Sequence, residues 1–210
     1  MTTSRYWLQK VFLVLEEYQK DVLLDGEVYL DETFYSVRSE DVTVVDGKKL
    51  RGLSRNQICI GVACTRSQVY CTLEGFGKPS QKKTYLAFKD HIKPRAKLIH
   101  DEGQSHNKLV NELGLASVTY NSGYMKALKD DENPMRRVNE IHFLMKRFFY
   151  AHSSFKREDI AGFINLFSFV MNHPSEKLEK VERFIDLGLA CSRKLTYRDC
   201  FMQKKAKNKD

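Results

Sequence analysis

The sequence predicts an α/β protein built on a mixed five-stranded sheet flanked by helices. Three observations predict it. Three strand-like segments follow one another between Glu27 and Glu74 with short links, the mark of an antiparallel meander. Two further strand-like segments, residues 96–100 and 116–120, are each reached through a helical segment, as crossover connections require. The chain has 210 residues, 42% hydrophobic and 30% charged. That suits a folded core in one domain, or at most two small ones, and excludes disorder.

Each element has a local reason. Trp7, Phe12 and Leu15 recur at helical spacing up to about Gln19, so the chain opens on an amphipathic helix. Asp25-Gly26 is a turn signal. Residues 27–37 (EVYLDETFYSV) alternate and are rich in Val, Tyr and Phe, which predicts a strand. Residues 38–55 are polar and basic, with Asp46-Gly47 as a turn. Residues 57–65 and 68–74 are two more strands, joined tightly at Arg66-Ser67. Ser80 begins a helix that Pro94 closes, and AKLIH follows as a strand ending at Asp101. His106 to Leu113 reads as a helix stopped by Gly114, and ASVTY as a fifth strand. A polar loop over 121–134 leads to helices over 136–150, 156–172 and about 176–190. The last residues, 203–210, are a solvated charge run. The resulting order, β-β-β-α-β-α-β-α, is that of ribonuclease H-like folds, an analogy that carries no function alone.

Charge and cysteines narrow the classes. The net charge is +8, and the segment up to Leu30 is acidic, so the basic excess lies beyond it. Such a balance favours polyanionic partners. No apolar run approaches the roughly 18 residues that span a bilayer, which excludes a membrane-spanning helix. No pair among Cys59, Cys64, Cys71, Cys191 and Cys200 has C-x-x-C spacing, so no zinc ribbon is present. The first three lie in strand sequence and are expected to be small core residues, and the odd count suggests a reducing cytoplasm.

Three acidic or amide positions attract chemistry. Asp31 sits mid-strand in Y-L-D-E-T-F-Y, where alternation puts it on one face with Tyr29 and Thr33 and puts Glu32 on the other. A carboxylate there is a solvated edge residue, or is paired, or binds metal. Asp101 follows a strand directly, a frequent site position in α/β sheets and also a turn position. In the inferred sheet the two strands are neighbours, so the two aspartates come together. On the helix after Pro134, Asn139, His142 and Lys146 share one face. Two aspartates and an oxygen donor suit a hard divalent cation, and two such ions can drive phosphodiester chemistry.

These residues carry a resemblance. L-D-E-T in the first strand, H-D-E-G after a later one, and V-N-E-I-H-x-x-x-K-R-F in the helix resemble the catalytic core of bacterial DDE-type transposases. The fifteen-ninety-five insertion-sequence family is the nearest resemblance, since its third catalytic position is often Asn with Lys seven residues later. The basic segment G-K-K-L-R-G-L-S-R-N-Q also resembles that family, and the likeness covers about residues 5–172. It implies Asp31, Asp101 and Asn139 as ligands of two Mg²⁺ or Mn²⁺ ions, and Lys146 against a DNA phosphate. The implied activity is cleavage at an insertion sequence's ends and strand transfer in DNA transposition. Element ends and target DNA would be the partners, with the protein a homo-oligomer on DNA in the cytoplasm, associated with the nucleoid when bound. Glu140 is the fallback third ligand, while His100 and His106 are read as structural or solvated.

Family members carry an N-terminal zinc ribbon and helix-turn-helix, whereas here 30 residues precede Asp31 without a cysteine cluster. The expected organisation is therefore an N-terminal helix over 1–24, a catalytic domain over 25–175, and a C-terminal helix with basic tail over 176–210. Lys48, Lys49, Arg51 and Arg55 in one loop are candidate phosphate contacts, as are Arg136 and Arg137 before the site helix. Lys82 and Lys83 read as helix surface. The competing readings are an inactive DNA-binding remnant and a ribonuclease H-like nuclease with another substrate.

Overall fold

The computed structural model describes residues 3–37, 41–152 and 157–198. Helix α1 (Thr3–Lys20) buries Phe12, Leu15 and Gln19. Strand β1 (Glu27–Ser36) follows, and then a small ribbon of β2 (Val44–Val45) and β3 (Lys48–Lys49). Strands β4 (Gln57–Cys64) and β5 (Val69–Phe76) complete the meander. Helix α2 (Gln81–Phe88), strand β6 (Lys97–Asp101), helix α3 (Asn107–Leu113) and strand β7 (Ala116–Tyr120) make the crossovers. The chain ends in helices α4 (Ser122–Ala127), α5 (Arg136–Ala151), α6 (Ile160–Met171) and α7 (Lys177–Ala190).

The sheet order is β5-β4-β1-β6-β7. β1 pairs antiparallel with β4 and β4 with β5, while β1–β6 and β6–β7 are parallel. This mixed five-stranded sheet, with the first long strand at its centre and helices on both faces, is a ribonuclease H-like fold.

Alternation along β1 sorts its side chains between two cores. Val28 and Leu30 pack with Leu98, Leu109 and Phe88 under α2 and α3. Tyr29 and Tyr35 pack with Ile60, Ile99, Val138 and Ile141 under α5 and α6. β4 is buried at every residue but Gln57, as a strand covered on both faces must be. Cys59, Cys64 and Cys71 are fully buried, and burial pushes the Cys64 thiol up to about 12. Cys200 and residues 203–210 lie outside the described residues.

Side chains close the exposed edge. On β5, Val69 N–H donates to Asn172 Oδ1 (2.6 Å) and Cys71 N–H to Ser168 Oγ (3.2 Å). Asn172 also donates to Tyr18 Oη (3.1 Å), tying β5, α6 and α1 together. These bonds occupy donors that would otherwise offer an edge for pairing.

Several boundaries differ from the sequence expectation. α2 stops at Phe88 and not near Pro94, because Leu24 and Ile92 form a parallel bridge, with Leu24 N–H donating to His91 O (2.8 Å). The expected loop over 121–134 holds α4, nucleated by Asn121, whose Oδ1 accepts from Gly123 N (2.9 Å) and Tyr124 N (3.3 Å). α6 begins at Ile160, later than expected, after a 3-10 turn over Arg157–Asp159. The basic loop folds into the β2–β3 ribbon. Its Asp46-Gly47 turn has positive φ at both residues, 50° and 72°, as a type I′ hairpin requires. Asn56 anchors it, accepting from Thr43 N (2.7 Å) and donating to Leu50 O (3.2 Å).

Candidate active site

The site begins with the parallel ladder between β1 and β6. It pairs Tyr29 with Ile99 and Leu30 with His100. Asp31 and Asp101 are the next residue on each strand, so they stand side by side where that ladder ends. Tyr29 and Ile99 face α5 and α6, and two-residue alternation returns both aspartates to that face.

Asp31 is partly buried, its side chain 29% exposed. Burial first, then the charges of Glu32 and Asp101, push its carboxyl up to about 7. Its Oδ1 accepts from Glu32 N–H (2.9 Å), and its Oδ2 lies 3.9 Å from His142 Nδ1 on α5. Burial, together with the charge of Lys146, pushes His142 down to about 4, and its Nε2 is buried without a partner among the described residues.

Asp101 is held by a tight loop. Its Oδ1 accepts from Gly103 N–H (2.9 Å) and lies 3.6 Å from His106 Nδ1. Gly103 is needed for closeness: a Cβ there would lie 2.6 Å from Asp101 Oδ1.

A polar chain runs beneath, on the α2–α3 side of the sheet. His106 Nε2 meets Glu32 Oε1 (3.2 Å), and Ser105 Oγ donates to the same oxygen (3.3 Å). His106 Nδ1 is 2.9 Å from His100 Nδ1, and His100 Nε2 is 2.8 Å from Ser117 Oγ. Burial opposes charge on both Glu32 and His106. It is the largest single influence on each, but their mutual hydrogen bond and the charges around them together outweigh it, holding Glu32 low and His106 high. Burial and the neighbouring His106 push His100 down to about 4. A charged His106 donating to Glu32 and to a neutral His100 satisfies the chain. His100 and His106 are thus buried network members, and the solvated alternative is corrected. His100, Asp101 and His106 also offer three donor atoms within 4.8 Å of one another.

The remaining sequence candidates lie on α5 or on the ribbon. Asn139 and Lys146 are exposed on α5, flanking the turn that carries His142. Asn139 lines a shallow depression with Asp131, Asn133, Arg136 and Phe143. The structure therefore sets Asp31 next to Asp101 at the end of the β1–β6 ladder and near His142, and leaves Asn139 exposed on α5. Glu140 is engaged on the helix surface by Arg136 (2.9 Å) and Arg137 (3.6 Å), which also compensates those two arginines. Arg137 Nε donates to Thr65 O (3.4 Å). Lys48, Lys49, Arg51 and Arg55 are all exposed around the β2–β3 ribbon.

Sequence reasoning missed Glu32, Gly103 and His106 as parts of the site. One signal was present: the alternation that places Asp31 on one face places Glu32 opposite, in an apolar strand where an uncompensated carboxylate is costly.

The donor set fits hard divalent cations. Two adjacent carboxylates stand there with a buried imidazole beside Asp31, and burial first, then the charges of Glu32 and Asp101, holds Asp31 above its usual range.

No family model and no curated protein matches the sequence. Among solved structures, a simian T-cell lymphotropic virus intasome in complex with PP2A regulatory subunit B56 gamma matches at 10% identity and a TM-score of 0.45. That match covers 73% of this chain and 50% of the intasome chain, so the present chain spans about half its length. The Mos1 transposase catalytic domain with raltegravir and Mn matches at 13% identity and a TM-score of 0.42, covering 93% of this chain and 98% of that one. The catalytic domain of Mos1 mariner transposase matches over the same shares, at 13% identity and a TM-score of 0.38. At such distances the fold assignment rests on the strand order itself. Among the described residues, no helix is long and apolar enough to cross a membrane.

Proposed function

We propose that this chain is the catalytic domain of a DDE-type transposase of the kind found in the fifteen-ninety-five insertion-sequence family. It would cleave DNA strands at an element's ends and join them to target DNA, acting as a homo-oligomer on that DNA. One observation carries the reading: Asp31 and Asp101 are neighbours at the end of the parallel β1–β6 ladder, with Asp31 3.9 Å from His142 of α5.

In this reading Asp31 and Asp101 hold Mg²⁺ or Mn²⁺, with the Asn139 amide as the third donor. Such ions supply an activated water or 3′-hydroxyl and neutralise charge on the leaving oxygen. The chain's own residues do the positioning. Gly103 N–H and the Glu32–His106 pair fix the Asp101 carboxylate from below. His142 backs Asp31 from α5. Lys146 and the exposed ribbon cations, Lys48, Lys49, Arg51 and Arg55, take up DNA phosphates.

A second reading concerns the third donor. His142 is buried against Asp31 at 3.9 Å while Asn139 is exposed, which favours His142 as the residue that α5 offers to the site. Cleavage of a labelled duplex carrying an element end, with and without Mg²⁺ or Mn²⁺, tests the proposal. Fusion to an end-binding module supplies end recognition. Cleavage should require the metal and fall at least 1,000-fold in Asp31→Asn and in Asp101→Asn, as an order-of-magnitude expectation for losing a charge-bearing donor. Cleavage that persists in both variants would overturn it.

A further inference from the structure

Helix α5 carries a second feature on its outer face. Its inner side buries Val138, Ile141, His142, Met145 and Phe149. Its outer side exposes Phe143 (59%) and Tyr150 (84%), two large rings left in water. Seven residues separate them, close to two helical turns, so the rings stand in one row about 10 Å apart. Lys146 and Arg147 lie between them, and with both rings they line one shallow depression. The Arg147 guanidinium is 5.7 Å from the Phe143 ring centre. Phe143 also borders the depression that Asn139 lines, and His142, its neighbour in sequence, lies 3.9 Å from Asp31, so the row begins next to the candidate site.

Rings interleaved with cations make a surface with two chemistries. A base stacks on an exposed ring in a sequence-tolerant way, while Lys and Arg hold the adjoining phosphates. Duplex bases are stacked on each other and cannot reach such rings, whereas an unpaired strand can. We infer that the outer row of α5, with Phe143, Lys146, Arg147 and Tyr150, binds an unpaired DNA strand next to the Asp31–Asp101 site. This deepens the DNA-cutting reading and rests on it. It names the form of substrate held there, a strand frayed or already released from its complement.

The test uses the full chain and fluorescence anisotropy with a labelled 12-nucleotide single strand and a blunt duplex of the same sequence, each over a range of salt. Phe143→Leu/Tyr150→Leu keeps apolar bulk and removes both rings. It should weaken single-strand binding about 10-fold or more, change duplex binding less than about 2-fold, and leave the salt slope unchanged. Lys146→Gln/Arg147→Gln should instead flatten the single-strand salt slope by about 1.4, as expected for two lost phosphate contacts. Wild-type protein that binds neither DNA would overturn the DNA reading itself. DNA binding that the ring variant leaves intact, or weakens equally for both forms, would overturn this inference alone. Sedimentation showing self-association lost in the ring variant, with DNA binding intact, would assign the row to a protein contact and overturn the inference too.

Discussion

Replacing Gly103 with alanine tests how closely Asp101 must be held. The backbone at Gly103, φ −61° and ψ 126°, suits any residue, so the change brings no backbone strain. The added Cβ would lie 2.6 Å from Asp101 Oδ1, 3.4 Å from Cγ and 3.5 Å from Oδ2. Ordinary contact begins at 3.4 Å, so Oδ1 must withdraw by about 0.8 Å, the difference between 3.4 and 2.6 Å. That movement also stretches the 2.9 Å bond from Gly103 N–H, which water replaces at a side chain that is 36% exposed. Misplacing a reacting group by about 1 Å costs about 100-fold. We therefore expect metal-dependent cleavage to fall about 30- to 100-fold and Mn²⁺ affinity to fall about 10-fold. Folding stability in EDTA should change by less than about 1 kcal/mol, because the Asp101 side chain is 36% exposed and has room to swing away. Mn²⁺ titration followed by electron paramagnetic resonance, paired with thermal melting in EDTA, separates the two effects. Gly103→Ala protein that binds Mn²⁺ and cleaves like wild type would refute the claim that this loop sets the carboxylate.

Three further outcomes follow from the geometry. Burial first, then the charge of Glu32, raises the Glu74 carboxyl to about 7, so the folded state holds a proton that the unfolded state releases near 4.5. Stability from this group is therefore greatest below pH 4.5 and falls as pH rises to about 7. Glu74→Gln should melt like wild type at pH 4.5 and gain up to about 3 kcal/mol at pH 8, and equal melting at both pH values would contradict this. Neutralising Lys48, Lys49, Arg51 and Arg55 together should flatten the slope of log duplex affinity against log salt by about 3 to 4; an unchanged slope would make the ribbon a bystander. On α5, Asn139→Ala should lose most cleavage, Asn139→Glu should retain metal binding, and Glu140→Ala should change little, since Glu140 is engaged by Arg136 and Arg137. Cleavage that survives Asn139→Ala but is lost in His142→Gln would move the third position to His142.

What was legible in the sequence was whatever depends on local period. The alternation in E-V-Y-L-D-E-T-F-Y and the strand–helix order are enough to set β1 at the centre of the sheet and to bring Asp31 and Asp101 onto one face. Features built from long-range or very short pairing were not legible. The β2–β3 ribbon has two residues per strand, too few for a hydrophobic pattern. The early end of α2 depends on Ile92 meeting Leu24. The Glu32–His106 contact joins residues 74 positions apart, and nothing local distinguishes that histidine from a solvated one. Asn139 and His142 sit one turn apart on the same helix, and helical spacing alone could not tell which would turn inward; packing of α5 on β1 and β4 buries His142 and leaves Asn139 exposed.

The most direct test of the central claim is anomalous scattering from Mn²⁺ in crystals of the wild-type chain. The account predicts density within coordination distance of both the Asp31 and Asp101 carboxylates, on the α5 face of the sheet, and its loss in Asp31→Asn. Density held instead by His100, Asp101 and His106 with Asp31 unliganded, or none at saturating Mn²⁺, would contradict it.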